Sequence, residues 1–144
     1  MKIEVDVVGK PEAMRLSAIG TRPLELDLWE SSAGVPTPHL GVHLRRLEAN
    51  LARVAAIAQS HSVALRPHVK THKCIEIARM QLGCGAIGVT ASKPQEALVF
   101  IEADVPSVTV AYPVVVPHVA HALLESAARK KCDLRFVVDS LEGV

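Results

Sequence analysis

Along this chain, runs of consecutive apolar residues alternate with stretches in which apolar positions recur every three or four residues. Leu40, Val42 and Leu44 alternate as in a short strand, and apolar residues then fall at 44, 47, 51, 54, 55 and 58, a helical period held for more than four turns. Residues 63–65 read as the end of a buried strand, which Pro67 stops because it has no N–H to give to a ladder. Apolar residues return at helical spacing, so a helix is predicted over about 72–82, closed by Gly83-Cys84-Gly85. A short apolar strand follows at 86–90. Ser92-Lys93-Pro94-Gln95 has the form of a capping box with proline in the first turn, opening a helix that reaches about 103. The next strand is 107–112. Pro117 then opens a helix with apolar positions 116, 119, 120, 123, 124 and 127, and a last strand, 134–138, ends in Asp139-Ser140.

Residues 1–36 carry less signal. Ile3, Val5 and Val7 alternate with polar residues, as do Leu24, Leu26 and Leu28, so two short half-buried strands are predicted there, with turns at Gly9-Lys10-Pro11 and over 31–38. This segment is expected to be an irregular lead-in, separate from 37–144. In the remainder, strands alternating with helices define βαβ units and a parallel sheet. The fold class is therefore α/β with about four βα units, the strands being counted from Val63. A closed (β/α)8 barrel takes roughly 250 residues, and the chain has 144. The expectation is a partial TIM-type barrel, in effect its first half. Helices then cover one sheet face only, and the inner face is expected to expose an apolar patch large enough to drive self-association unless a further half covers it.

The candidate chemistry lies where the strand at 63–65 gives way to the helix, in Leu65-Arg66-Pro67-His68-Val69-Lys70-Thr71-His72-Lys73-Cys74-Ile75. The carboxyl ends of strands are where α/β folds place their sites. Four readings compete: a solvated basic loop, a metal site on His68, His72 and Cys74, a nucleic-acid surface, and a Schiff-base lysine. The metal reading lacks a second Cys/His cluster to complete a tetrahedral set. A nucleic-acid surface calls for a basic face and stacking aromatics, and the chain has a net charge of +1 with 3% aromatic residues. A nucleophilic lysine needs burial or cationic neighbours to shed its proton. Lys70 is expected to have both, from its strand-end position and from Arg66, His68, His72 and Lys73. Lys73 is expected in the first helical turn and solvated.

Composition narrows the class further. Hydrophobic residues make up 49% of the chain, ample for one packed domain. The longest apolar stretch is broken by Pro113, Pro117, His118 and His121, short of a membrane span. The opening Met-Lys-Ile-Glu-Val-Asp places acids where a signal peptide has its apolar core. Cys74, Cys84 and Cys132 are odd in number and unpatterned, as in a reducing compartment. A cytoplasmic protein with a small-molecule partner, and with neither nucleic acid nor membrane, is expected. His39, His43 and His61 are taken as surface or turn residues.

The segments LRPHVKTHK, EIARMQLGCGAIGVT and VTVAYPVV, in this order and spacing, resemble the D-threonine aldolase and D-serine dehydratase family. That family belongs to the alanine racemase-like, fold type III enzymes that use pyridoxal 5'-phosphate (PLP). The resemblance runs from about Val35 to the C-terminus, and His43 stands where the family usually has an acid. It implies that Lys70, in the H-x-K-T-H-K position, carries PLP as a Schiff base. Thr90, Tyr112 and Asp139 end strands on the same rim as Lys70 and are expected either to line the pocket or to serve as turn or capping residues, and His68 and His72 either to pack beside the cofactor ring or to cap the loop. The implied activity is that of a lyase on D-amino acids, with D-threonine cleaved to glycine and an aldehyde. D-serine dehydration, alanine racemase-like isomerisation and an inactive half-barrel are the alternatives. Alanine racemases usually read K-A-N-A-Y-G where this chain reads K-T-H-K. Complete family members also use a divalent metal held by His and Cys ligands near their C-terminus, and the resemblance assigns none of those ligands to this chain.

Overall fold

The computed structural model describes residues 34–36, 38 and 40–141. The strands predicted at 3–7 and 24–28 and the turn at Gly9-Lys10-Pro11 lie outside the described residues. By its contacts the chain divides into two compact units, Met1–Ala56 and Ile57–Val144. Helix α1 (Leu44–Ser60) realises the predicted helical period, although none of its residues is fully buried. The strand predicted through Leu40, Val42 and Leu44 does not form. His43 instead acts as the helix cap: its Nδ1 accepts the amide of Arg46 at 3.4 Å and its carbonyl accepts the amide of Leu47 at 3.0 Å.

The second unit contains a 3-10 turn (Val69–Thr71), α2 (Ile75–Gly83), β1 (Val89–Ala91), α3 (Pro94–Glu102), β2 (Ser107–Pro113), α4 (Pro117–Lys130) and β3 (Asp133–Val137). The three strands form a parallel sheet in sequence order, with Val89 opposite Val108 and Val108 opposite Leu134. This is the predicted βαβ pattern with three strands rather than four. The strand expected at 63–65 is reduced to a single parallel bridge from His68 to Thr90, flanked by bonds from the Ile87 amide to Leu65 O (2.9 Å) and the Thr90 amide to Pro67 O (2.8 Å). Pro67 has no N–H to donate in return and Val63 is 61% exposed, so the pairing stays at these isolated bonds and does not extend into a strand.

The strands' two-residue period sorts the sheet into two faces. Val89, Ala91, Val108 and Val110 are completely buried and pack with Phe100 and Ile101 of α3 and Leu123 of α4. The predicted apolar face of α4 is realised at Leu123 and Ala127, but Leu124 is exposed. Ser126 is buried in its stead, its hydroxyl donating to Glu102 Oε1 of α3 at 2.6 Å.

The opposite face differs from the expected apolar patch. Its in-register positions are Thr90, Thr109 and Arg135, preceded by Ser107 and Asp133. Ser107 Oγ donates to Asp133 Oδ2 (2.8 Å), and Arg135 pairs with the same carboxylate (Nη2, 2.8 Å). A Cβ on Gly88 would collide with the Ser107 carbonyl oxygen and approach Arg66 Nη1 to 2.5 Å, so glycine is what lets the Arg66 side chain lie over the first strand. The inner face thus opens on a polar layer. Among the described residues no helix is long and apolar enough to cross a membrane.

Candidate active site

The lysine loop is held by its own backbone and by two histidines. Val69, completely buried, plugs the loop into the sheet, and its carbonyl accepts the amides of His72 (3.2 Å) and Lys73 (2.8 Å) to close the 3-10 turn. His68 Nδ1 accepts the amide of Lys70 at 3.2 Å, and His72 Nδ1 accepts that of Cys74 at 3.1 Å. Each ring therefore spends Nδ1 on the loop and keeps Nε2 as its donor nitrogen. Lys73 adopts a left-handed backbone, φ +51, a conformation that costs a residue with a Cβ roughly 1–2 kcal/mol. The chain turns sharply there before Cys74 caps α2.

This construction leaves Lys70 exposed beyond the carboxyl end of the sheet. Thr90 is half-buried on β1 beside His68. Tyr112 lies in a register shift of β2, where Ala111 and Tyr112 intervene between the pairs Val110–Phe136 and Pro113–Val137, and it is 55% exposed. Asp139 follows the end of β3 and is exposed. Topology thus brings Lys70, His68, Thr90, Tyr112 and Asp139 to one rim. His72 is instead partly buried, with its Nδ1 taken by the Cys74 amide.

Two expectations about the surroundings of Lys70 change. Its shielding by strand-end burial is not found. Of its expected cationic neighbours, Arg66 lies over Gly88 and Ser107 at the opposite end of the strands. Lys73 is neither in the helix nor fully solvated: its side chain is 47% exposed and faces Glu96 Oε1 at 3.6 Å.

Glu96 is the residue missed by the sequence reading. Its side chain is only 6% exposed, and Oε2 accepts both the amide (2.6 Å) and the hydroxyl (3.0 Å) of Ser92. The predicted cap from Ser92 to Gln95 is thus displaced by one residue. The available signal was a second acid-type partner, Glu96, next to the expected one. Burial alone would raise its carboxyl pKa, but the two Ser92 donors and the Lys73 charge outweigh burial and hold it below the ordinary value.

His72 shifts the other way for a base. Burial pushes its imidazole below the ordinary 6.5, against the Gln81 side chain and the Glu96 charge, and its Nε2 is buried without a hydrogen-bond partner. With the folded-state pKa depressed, its contribution to stability is complete above pH 6.5 and is lost as pH falls through the folded value. Urea midpoints measured downward from pH 7 are expected to fall in this window, and His72→Asn, which keeps an acceptor for the Cys74 amide, is expected to flatten the decline.

Of the donors in the alternative metal reading, the Cys74 thiol is engaged elsewhere. Cys74 Sγ donates to Glu76 Oε2 at 3.1 Å, and burial pushes its thiol pKa up. Among the described residues, no three His, Cys, Asp or Glu side chains are grouped to hold a metal ion. A hollow of ≈ 260 Å³ is lined by Lys73, Lys93, Gln95, Glu96, Val99 and Phe100, none of them a rim residue.

The parallel sheet of βαβ units is part of a barrel-type α/β fold, with Lys70 beyond its carboxyl edge. Residues 42–144 match the family model "Alanine racemase, N-terminal domain", and the chain belongs to that family. It is 46% identical over 97 residues to a D-threonine aldolase of Arthrobacter sp, covering 67% of this chain and 25% of that protein. It is 35% identical over 105 residues to the D-threo-3-hydroxyaspartate dehydratase of Delftia sp. (strain HT23), covering 73% of this chain and 27% of that protein. The crystal structure of the D-threonine aldolase from Filomicrobium marinum superposes with a TM-score of 0.71 at 38% identity, over 76% of this chain and 29% of that one. The chain spans about a quarter of the length of the curated relatives it matches.

Proposed function

We propose that this chain carries the cofactor lysine of a PLP-dependent lyase acting on D-amino acids with a β-hydroxyl, with cleavage of D-threonine to glycine and an aldehyde as its reaction. The observation that carries this reading is Lys70. Its amine stands exposed on the carboxyl rim, in a chain 46% identical over 97 residues to a D-threonine aldolase.

The rim's donor set fits PLP. Lys70 offers a primary amine to the aldehyde carbon, His68 offers a ring whose Nδ1 is already committed to the Lys70 amide, and Thr90 and Tyr112 offer hydroxyls at strand ends. When bound, PLP supplies an electron sink for charge developing at the substrate's Cα. Lys70 then has two tasks, to anchor the cofactor and to carry a proton at its Nζ. His68 fixes the backbone from which Lys70 extends, and His72, its Nδ1 taken by the Cys74 amide, supports the loop.

Incubating the purified protein with PLP and D-threonine, D-serine or D-alanine tests the assignment. Aldehyde from D-threonine is the expected result. The dehydratase among the relatives supports the runner-up, for which a 2-oxo acid from D-serine would be the signature. Interconversion of D- and L-alanine, with no product from the hydroxy amino acids, would overturn the lyase reading.

A further inference from the structure

We infer that Glu96 is a positioning residue for the lysine loop, gripping the β1–α3 turn with one carboxylate oxygen and Lys73 with the other. The inference rests on the reading of Lys70 as the cofactor lysine and assigns a residue that neither touches cofactor nor lies on the rim.

Three observations support it. First, Glu96 is buried where an acid needs a reason to be. Its Oε2 is fully occupied by Ser92, while Oε1 has no hydrogen bond and looks toward Lys73 Nζ at 3.6 Å. Second, Lys73 sits in a left-handed conformation. That geometry persists only where surroundings hold it, and the Glu96 carboxylate is the charge on which its side chain rests. Third, the same carboxylate acts on His72, whose Nδ1 holds the Cys74 amide. One buried carboxylate thus acts on two successive residues of the loop, His72 and Lys73, starting two positions after Lys70. A helix cap alone would need only Ser92.

Amide hydrogen exchange on the full chain tests this without the cofactor. Glu96→Gln keeps an oxygen for the Ser92 donors and removes the charge. Lys73→Met keeps Glu96 and its cap and removes the ammonium. Both are expected to raise exchange of the Lys70, Lys73 and Cys74 amides about threefold to fivefold, the range for a half-exposed ion pair, while Val108 and Val110 in the sheet keep their protection. Borohydride trapping after addition of PLP is expected to show label moving from Lys70 toward Lys73 in Glu96→Gln. Unchanged loop exchange in both variants would reduce Glu96 to a helix cap and overturn the inference, as would a rise shared equally by the sheet amides in both. Absence of label on Lys70 in the unaltered protein would instead defeat the cofactor assignment, leaving the exchange result to decide the role of Glu96 in the loop.

Discussion

Lys70→Arg is expected to lower lyase turnover on the order of 10³-fold or more, because it removes the cofactor's anchor and a proton carrier at once. Arginine keeps the charge and much of the side-chain length, yet its guanidinium stays protonated and cannot supply a free amine. The loop itself should persist. His68 Nδ1 and Val69 O bind backbone amides of Lys70, His72 and Lys73, which the substitution leaves in place. Steady-state turnover with saturating PLP is the measurement, with the urea midpoint confirming that the fold is retained. Lys73→Met is the control, expected to cost less than about tenfold, since it disturbs a half-exposed pair. A larger loss in Lys73→Met than in Lys70→Arg would mean that the two lysines have been assigned the wrong way round.

Phe100→Ala is expected to destabilise the second unit by about 3–5 kcal/mol, the largest effect on stability among the residues discussed. Phe100 is 1% exposed on α3 and belongs to the cluster that includes Val89, Val108, Val110 and Leu123. Truncating it removes the ring's burial and leaves a cavity between sheet and helices. Domains of this size are stable by about 5–15 kcal/mol, so the urea midpoint should fall by a large fraction of its value. Val99, the preceding residue, is 50% exposed, and Val99→Ala should move the midpoint only slightly. Equal shifts in both would contradict the assignment of the core.

These effects show what the apolar pattern encodes well. Leu123 lies at a helical-period position that the apolar pattern marked, and the strand valines fall in the apolar runs read as strands, whereas Phe100 lies in a helix that was marked by its capping signal alone. The polar inner layer was equally written in the sequence. Asp133, Arg135 and Val137 alternate with Leu134 and Phe136, and that two-residue period placed charges on the face away from α3 and α4. Only the expectation of a dry barrel interior obscured it.

What was illegible depended on contacts between distant segments. Residues 63–65 have strand-like composition, but whether they pair is decided by Pro67 and by how far β1 extends, neither of which a local pattern weighs. The left-handed backbone of Lys73 has no local signature, since glycine or asparagine would be the usual occupant. Glu96 looked like one more polar residue opening a helix. Its meaning appears only when the fold places it against Ser92 and Lys73, the latter lying 23 positions earlier in sequence. The motif containing Lys70 was legible because it is compact: Val69, Lys70 and both histidines lie within the five residues 68–72.

The most direct test of this account is the site at which PLP attaches. The protein would be incubated with PLP, reduced with borohydride, digested and mapped by mass spectrometry. The account predicts a single dominant label on Lys70, lost in Lys70→Arg. Label on Lys73, or spread over Lys93, Lys130 and Lys131, would contradict it.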